Sequence, residues 1–337
     1  MTKKDKRTRL KLIVNPSAGN RADTKSNLNA VTANLEANGF KVDVVWAKPK
    51  EKATPLARKA IREGYKLVAA MGGDGTVEAV MRGLTGSHLR LGILPTGIQN
   101  NIARSLGITL DLEQACRLIT RDATRKVDVG QVRRGKGDWF PFFEMVGVGY
   151  AGSAETEEPG EAKPQDDLFR SQIAASPEHK QIVPTVIMNL DDDQILEVET
   201  RLLTICDTPI FGNKFIVPAP EFLQDGLLDI SIFQGFAEED VRGYYSKMKA
   251  GVYAGIGNVQ HYQASKLTVR AWPPMEVIAD GVSLGKGTVS VRMRPGALCV
   301  IAAPESRDVL GLPRRAHEND RAALTSVLGE YPGEMNG

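Results

Sequence analysis

The chain has 337 residues, of which 42% are hydrophobic and 25% charged, and its formal net charge is +2. This length suits two domains, and the small net charge argues against nucleic acid as the main partner. The three cysteines and four histidines are scattered, which argues against a disulfide framework and a zinc site. No apolar run approaches the roughly 20 residues that a membrane span needs, and the basic N-terminus does not resemble a signal peptide. We therefore expect a cytoplasmic protein.

Strands and helices alternate over residues 9 to 122. Apolar runs predict strands, and each is followed by a helical pattern; the strands are at 10–14, 41–46, 67–71 and 89–94. Thr54 is predicted to cap the second helix, ahead of a proline at its first position. Four such alternations predict a parallel sheet with helices on both faces. Ligands bind such sheets beyond the carboxyl ends of the strands.

Three loops that end predicted strands are rich in glycine, asparagine and hydroxyl residues. They are 15–20 (Asn-Pro-Ser-Ala-Gly-Asn), 72–76 (Gly-Gly-Asp-Gly-Thr) and 95–101 (Pro-Thr-Gly-Ile-Gln-Asn-Asn). Glycines let the backbone approach a ligand closely, and the start of the helix after the second loop favours an anion. A single loop of this kind is more often an ordinary strand–helix turn. Because all three occur at the same edge of the sheet, we predict that they form one site.

The pattern changes after residue 124. Short runs rich in Val, Ile, Leu and Phe follow one another with polar breaks, and they include 214–217, 287–293 and 297–302. Helical patterns are sparse, mainly at 237–250. This pattern predicts an antiparallel β-sandwich. Residues 155–183 are polar and are interpreted as an insertion, and 191–193 (Asp-Asp-Asp) as a hairpin tip. The predicted organisation is an α/β domain at 9–123, a β-sandwich domain at 124–304 and a tail at 305–337.

The motifs of the chain resemble, in order and spacing, those of the diacylglycerol kinase catalytic domain family, in the branch of bacterial lipid kinases. The residues that begin them are Asn15, Gly72, Leu94, Val127, Phe143, Pro218, Asp225 and Asp280. The resemblance spans about residues 10–304. The Gly-Gly-Asp-Gly-Thr loop alone is also similar to that of NAD kinases and phosphofructokinases, so the later motifs are the ones that point to lipid kinases.

The resemblance implies transfer of the γ-phosphoryl group of ATP to a lipid hydroxyl with Mg²⁺, within phospholipid biosynthesis. It implies that the α/β domain at 9–123 binds the nucleotide and that the β-sandwich domain at 124–304 binds the lipid substrate. The residues implied to bind the nucleotide are Asn15, Gly72, Gly73, Asp74, Gly75, Thr76, Gly97 and Asn100. Asp74 and Asp128 are implied to serve the catalytic Mg²⁺. A second, structural Mg²⁺ is implied at the Asp225 side chain and the backbone oxygens of Phe222 and Leu227, which suits the preference of this ion for oxygen ligands. For Asp128 the alternative is a salt bridge at the domain junction, and for Asp225 an ordinary turn.

The sequence departs from the family pattern where a base is needed. The family usually has Asp-Gly-Glu, whose Glu is the proposed base, whereas this chain reads Asp280-Gly281-Val282. Ile98 and Asn101 replace a threonine and an aspartate of the family pattern, and Ala47 a common threonine. Asp280 is a candidate for the base, because residues two apart in a strand share a face. The alternative is that Asp-Gly forms a hairpin turn, which is its commonest use.

Three hypotheses follow. The first is an active lipid kinase acting on diacylglycerol or a related lipid at a membrane surface. The second is a catalytically silent relative that binds nucleotide or lipid, motivated by Val282. The third is a kinase for a soluble acceptor, as in NAD kinases. Any membrane contact is expected to be peripheral, at the inner membrane face, through apolar rims or the basic N-terminus. A homodimer is compatible with the sequence, which does not fix an oligomeric state.

Overall fold

The computed structural model describes residues 7–18, 21–49, 52–98, 100–143, 145–149, 183–206, 225–234 and 259–302. The five helices in this part of the chain are α1 (Arg21–Ala37), α2 (Ala53–Arg62), α3 (Asp74–Leu84), α4 (Asn101–Ser105) and α5 (Leu112–Arg121). Within these ranges, none of the helices combines the length and the apolar character that spanning a bilayer requires.

The strands of the first half are β1 (Thr8–Val14), β2 (Phe40–Trp46), β3 (Leu67–Gly72), β4 (Arg90–Pro95), β5 (Thr124–Arg134), β6 (Phe140–Phe142) and β7 (Met145–Gly149). Those of the second half are β8 (Thr185–Leu190), β9 (Gln194–Glu199), β10 (Leu202–Cys206), β11 (Leu228–Phe233), β12 (Val259–Ala264), β13 (Lys266–Trp272), β14 (Glu276–Ala279), β15 (Val282–Lys286) and β16 (Val289–Ile301).

The first four strands are parallel and lie in the order β2-β1-β3-β4. All six residues of β3 are buried, which fits a strand covered by helices on both faces. Its neighbours β1 and β4 bring Val14 and Pro95 to the same edge as Gly72. The carboxyl ends of three strands therefore meet there, and the loops that follow them emerge side by side.

The chain from β5 onward forms a sandwich of two antiparallel sheets. One is the six-stranded sheet β12-β11-β10-β7-β14-β15. The other continues the parallel sheet, because β16 pairs in parallel with β4 and antiparallel with β5 and β13. Apolar side chains of both sheets, such as Val148, Met188 and Ile230, fill the space between them. The predicted fold, an α/β domain followed by an antiparallel sandwich, is confirmed.

Some details differ from the sequence-based prediction. Helix α2 has Lys52 at its N-cap, and the Thr54 hydroxyl instead donates to the carbonyl of Ala79 in α3, at 2.7 Å. Helix α5 was not predicted as a separate element, although Asp111 caps it by accepting from the Gln114 N–H at 2.8 Å. The runs at 287–293 and 297–302 belong to the single strand β16, interrupted by a register shift between Arg294 and Leu298.

The hairpin tip predicted at 191–193 is present between β8 and β9. Asp191 and Asp192 both take positive φ values, 51° and 69°, as the central residues of a tight hairpin do. The predicted strand at 214–217, the predicted helix at 237–250 and nearly all of the 155–183 insertion lie outside the described residues.

Candidate active site

Two glycine loops contact each other backbone to backbone at the edge where β3 and β4 end. A Cβ placed on Gly97 would lie 2.4 Å from the Cα of Gly73, and one on Gly73 would lie 3.1 Å from the Cα of Gly97. The Thr96 N–H also donates to the Gly72 carbonyl at 3.0 Å. These distances leave no room for a side chain at Gly97. The glycines thus bring the start of α3 and the loop after β4 into one surface, as their spacing predicts.

The loop after β1 joins this surface through Asn15. Its Nδ2 donates to the Thr76 hydroxyl at 2.9 Å, and its Oδ1 accepts from the Ser17 N–H at 2.9 Å. Its backbone N–H donates to the Met71 carbonyl at 3.0 Å. Thr76 is buried in the first turn of α3. Asn15 therefore holds its own loop against the glycine loop, and the predicted grouping of all three loops is observed.

Asp74 lies at the first position of α3, half-buried, with Gly73 as the N-cap. Its Oδ1 accepts from the Ile102 N–H at 3.0 Å, which ties the start of α3 to the start of α4. Asn100 is buried and has a φ of 54°; its side chain accepts from the Gly97 N–H and donates to the Gly97 carbonyl, each at 2.9 Å. The amide of Asn100 thus shapes the loop after β4.

A cleft of about 700 Å³ opens between these loops and helices α1 and α5. It combines polar with apolar walls, and its lining includes Asn15, Thr24, Thr96, Asn100, Met71 and Leu112. Ile98 and Leu110 also line it, with 91% and 39% of their surface exposed. A cleft of this size that combines apolar walls with polar side chains suits a small ligand.

Asp128 lies on β5, away from this cleft lining, and its carboxylate is committed to two backbone N–H groups. Oδ1 accepts from Gly296 at 2.7 Å and Oδ2 from Gly226 at 2.8 Å. The residue is 5% exposed. Gly296 lies in the register shift of β16, and Gly226 lies just before β11. Asp128 thus connects three segments where the two halves meet. Its partners are therefore backbone N–H groups and not the salt-bridge partner considered as the alternative. The catalytic role of Asp128 stays a prediction.

The residues implied for a structural Mg²⁺ are only partly described. Phe222 lies outside the described residues. The Asp225 Oδ1 accepts from the Leu227 N–H at 2.9 Å, a bond typical of an Asx turn. In the described ranges no group of three or more His, Cys, Asp or Glu side chains converges as metal ligands. The turn predicted as the alternative for Asp225 is observed, and the structural Mg²⁺ stays a prediction.

Asp280 does not lie in a strand, so the argument that residues two apart share a face was wrong for it. With Gly281 it forms the two-residue turn between β14 and β15, and both have positive φ, 43° and 75°. Its carboxylate accepts from the Phe143 and Met145 N–H groups at 2.9 and 3.1 Å and from Arg82 Nη2 at 2.9 Å. Its side chain is 1% exposed. A carboxylate so enclosed has no free face for a substrate hydroxyl, and the geometry does not support a base role.

Arg82 is a residue near the site that the sequence analysis missed. It lies on α3, one turn after Glu78, and its guanidinium contacts both Glu78 and Asp280. The spacing of four residues between a glutamate and an arginine was a local signal for the first contact. No pattern in the sequence indicated the second contact, because Asp280 lies 198 positions from Arg82.

Comparisons with known proteins agree with this architecture. Residues 9–132 match the family model described as diacylglycerol kinase catalytic domain, and residues 175–302 match the YegS C-terminal NAD kinase beta sandwich-like domain. The chain is 25% identical over 283 residues to a diacylglycerol kinase of Staphylococcus saprophyticus, covering 83% of this chain and 90% of that protein. It is 24% identical over 276 residues to a diacylglycerol kinase of Bacillus subtilis, with coverages of 81% and 89%.

Solved structures show the same fold. A crystal structure of a diacylglycerol kinase from Bacillus anthracis strain Sterne has a TM-score of 0.67 and 23% identity, covering 89% of this chain and 99% of the other. A yeast NADH kinase complexed with NADH has a TM-score of 0.54 at 8% identity, with coverages of 93% and 90%. At these identities the likeness concerns the fold alone.

Proposed function

We infer, because this chain belongs to the diacylglycerol kinase catalytic domain family, that it transfers the γ-phosphoryl group of ATP to the hydroxyl of diacylglycerol or a related lipid. Both family models and the relatives named diacylglycerol kinase support membership of a lipid kinase family. The lipid acceptor, the use of Mg²⁺ and the catalytic competence of this chain are the proposal.

The observation that carries the proposal is the contact of the two glycine loops at the N-terminus of α3. Gly97 lines the cleft and packs directly against Gly73, so this part of the wall is backbone rather than side chain. Backbone N–H groups and the positive end of a helix stabilise phosphate oxygens. Phosphoryl transfer depends mainly on positioning and charge stabilisation, so a surface of this kind supplies what the reaction needs.

Within this proposal each loop has a separate task. Gly72 to Thr76 contact the phosphates, Asn15 keeps Thr76 and the first loop in place, and Asn100 fixes the backbone of Gly97. The adenosine lies in the cleft beside Ile98 and Leu112. Mg²⁺ bound with the nucleotide would neutralise phosphate charge, and we assign Asp74, at the start of α3, to hold it.

The substitution of the family glutamate by Val282 makes a catalytically silent relative the competing hypothesis. Val282 is 42% exposed at the start of β15, directly after the Asp280–Gly281 turn. A loose transition state places little demand on a strong base, because the bond to the nucleophile forms late. We therefore propose that the chain is active, with the acceptor hydroxyl oriented rather than fully deprotonated before transfer.

The test is an acceptor panel with γ-labelled ATP and Mg²⁺. Purified protein is offered vesicles that contain diacylglycerol, ceramide, a sphingoid base or phosphatidylglycerol, and NAD as the soluble acceptor. Label in a lipid, lost in Asp74→Ala, is the expected result. Label in NAD alone would replace the lipid kinase proposal with a soluble-acceptor kinase. ATP binding by calorimetry with no label transferred to any acceptor would establish the silent relative instead.

A further inference from the structure

Arg82 joins the two halves of the molecule through one guanidinium. Its Nη2 lies 3.3 Å from Glu78 Oε2, on the preceding turn of α3, and 2.9 Å from Asp280 Oδ2 in the β14–β15 turn. Its Nε donates to the Pro141 carbonyl at 3.2 Å, and its Cζ lies 4.7 Å from the centre of the Phe140 ring. One side chain of the α/β domain therefore contacts two separate segments of the β-sandwich domain, β6 and the β14–β15 turn.

Asp280 extends this connection to the backbone between β6 and β7. Its carboxylate accepts from the N–H groups of Phe143 and Met145 as well as from Arg82. The Phe143 side chain packs in the core of the first domain, and Met145 begins β7 of the six-stranded sheet. The ion pair thus lies at the point where the chain passes from one core to the other.

The burial of this cluster favours a geometric role. The side chains of Arg82, Glu78 and Asp280 are 15%, 8% and 1% exposed, so solvent screens their charges weakly. A buried ion pair often adds little net stability, because desolvation offsets the attraction. A guanidinium does, however, fix the positions of its partners, since its planar fork of N–H donors forms hydrogen bonds only with groups that lie in its plane.

We propose that Arg82 is a positioning residue that sets the orientation of α3 relative to the β14–β15 turn of the β-sandwich domain. Helix α3 begins at the glycine loop and ends two residues after Arg82, so a change at Arg82 shifts the whole helix. Its role in transfer rests on the proposed function, in which the glycine loop holds the phosphates, and on binding of the lipid by the β-sandwich domain. A misplacement of about 1 Å between reacting groups costs about 100-fold in rate.

The kinetic test compares Arg82→Met, which keeps most of the side-chain length, with Arg82→Lys, which keeps the charge. The matched control is Arg117→Ala, which removes an exposed Arg–Glu pair of the same spacing on α5. At a temperature where all variants are folded, we expect kcat of Arg82→Met to fall about 10- to 100-fold while KM for ATP changes less than about twofold. Arg82→Lys should recover only part of kcat, because the ammonium keeps the charge but lacks the planar fork of donors. An unchanged kcat, or a rise confined to KM for ATP, would overturn the proposal.

A second readout does not depend on activity. Amide hydrogen exchange at Phe143 and Met145 reports the bonds to Asp280, and β3 serves as the internal reference. We expect exchange at both amides to accelerate about 10-fold or more in Arg82→Met and Asp280→Asn, with β3 unchanged and the double variant no faster than the singles. Unchanged exchange in Arg82→Met would contradict the coupling. If the wild type shows no kinase activity but exchange at both amides still accelerates in Arg82→Met, the proposed function is refuted. The role of Arg82 in orienting the domains is then still supported.

Discussion

Asp128 shows how a carboxylate that resembles a catalytic residue can hold backbone in place. Its two oxygens accept from Gly226 and Gly296, which belong to segments far apart in the chain. An aspartate at the end of a predicted strand carries no sign of such partners, because only the completed fold brings them to it. The pairing of β16 with β5 brings Gly296, and the segment before β11 brings Gly226. For this reason the sequence located the residue and left its role open.

Asp128→Asn should lower the free energy of unfolding by about 1–3 kcal/mol, because the amide nitrogen would face a backbone N–H and leave one buried donor unsatisfied. Chemical denaturation measures this change. The control is Asp138→Asn, since Asp138 is exposed in the turn after β5. Equal stabilities of the two variants would show that the Asp128 bonds contribute nothing to the fold.

Tyr65 gives a prediction about alkaline pH. Burial, and next its hydrogen bond to Asp43, raise the pKa of Tyr65 to about 12. A raised pKa means that the folded state holds the proton more tightly, so this contribution is complete below pH 10, the usual pKa of the phenol, and is lost as pH rises toward 12. The free energy of unfolding of wild type should therefore decline relative to Tyr65→Phe between these pH values. A constant difference across that range would contradict the raised pKa.

At the scale of elements, the three loops and the helix α3 were predictable because their signals are local. Apolar runs that end in glycine loops mark strand ends, and parallel topology then brings the ends to one edge. Helix α5 was missed, although Asp111 and the amphipathic 112–121 pattern mark it, because it follows the short helix α4 closely. It matters for the site, since Leu110 and Leu112 line the cleft.

The contact between the glycine loops predicts a large effect of a small change. In Gly97→Ala the new Cβ would lie 2.4 Å from the Gly73 Cα, so the loops must separate. We expect a loss of about 1–3 kcal/mol in the free energy of unfolding and loss of detectable ATP binding by calorimetry.

Gly107→Ala is the control for this change. A Cβ at Gly107 meets nothing within 4 Å, and its φ of 66° adds only local backbone strain. This variant should lose about 1 kcal/mol and bind ATP as wild type does. Full ATP affinity in Gly97→Ala would show that the loop contact does not form the phosphate site.

At the scale of the molecule, one ten-stranded sheet runs through both halves. Strand β16 makes this possible, because its end pairs with Arg90 and Leu91 of β4 and its start pairs with β13. Strand β5 pairs with β16 along nearly its whole length. The sequence predicted two domains and their classes from periodicity. It did not predict this shared strand, since the apolar runs at 287–293 and 297–302 gave no sign that they belong to one strand crossing between domains.

The same limit applies to the contact between the α/β domain and the β-sandwich domain. The residues of one loop could be grouped from the sequence, whereas the Arg82–Asp280 pair joins residues that only the completed fold brings together. The Asp280–Gly281 turn was among the predicted alternatives, because Asp-Gly is a strong hairpin signal. No sequence signal indicated that the Asp280 carboxylate would contact Arg82.

The measurement that tests the account most directly is the initial rate of γ-phosphoryl transfer from ATP to diacylglycerol in mixed vesicles with Mg²⁺, for wild type and Asp74→Ala. We predict steady transfer by wild type and a loss of at least about 100-fold in the variant, because the start of α3 would lose the carboxylate proposed to hold the metal. Asp138→Asn should match wild type. Absence of transfer by folded wild type that binds ATP, or an undiminished rate in Asp74→Ala, would contradict the account.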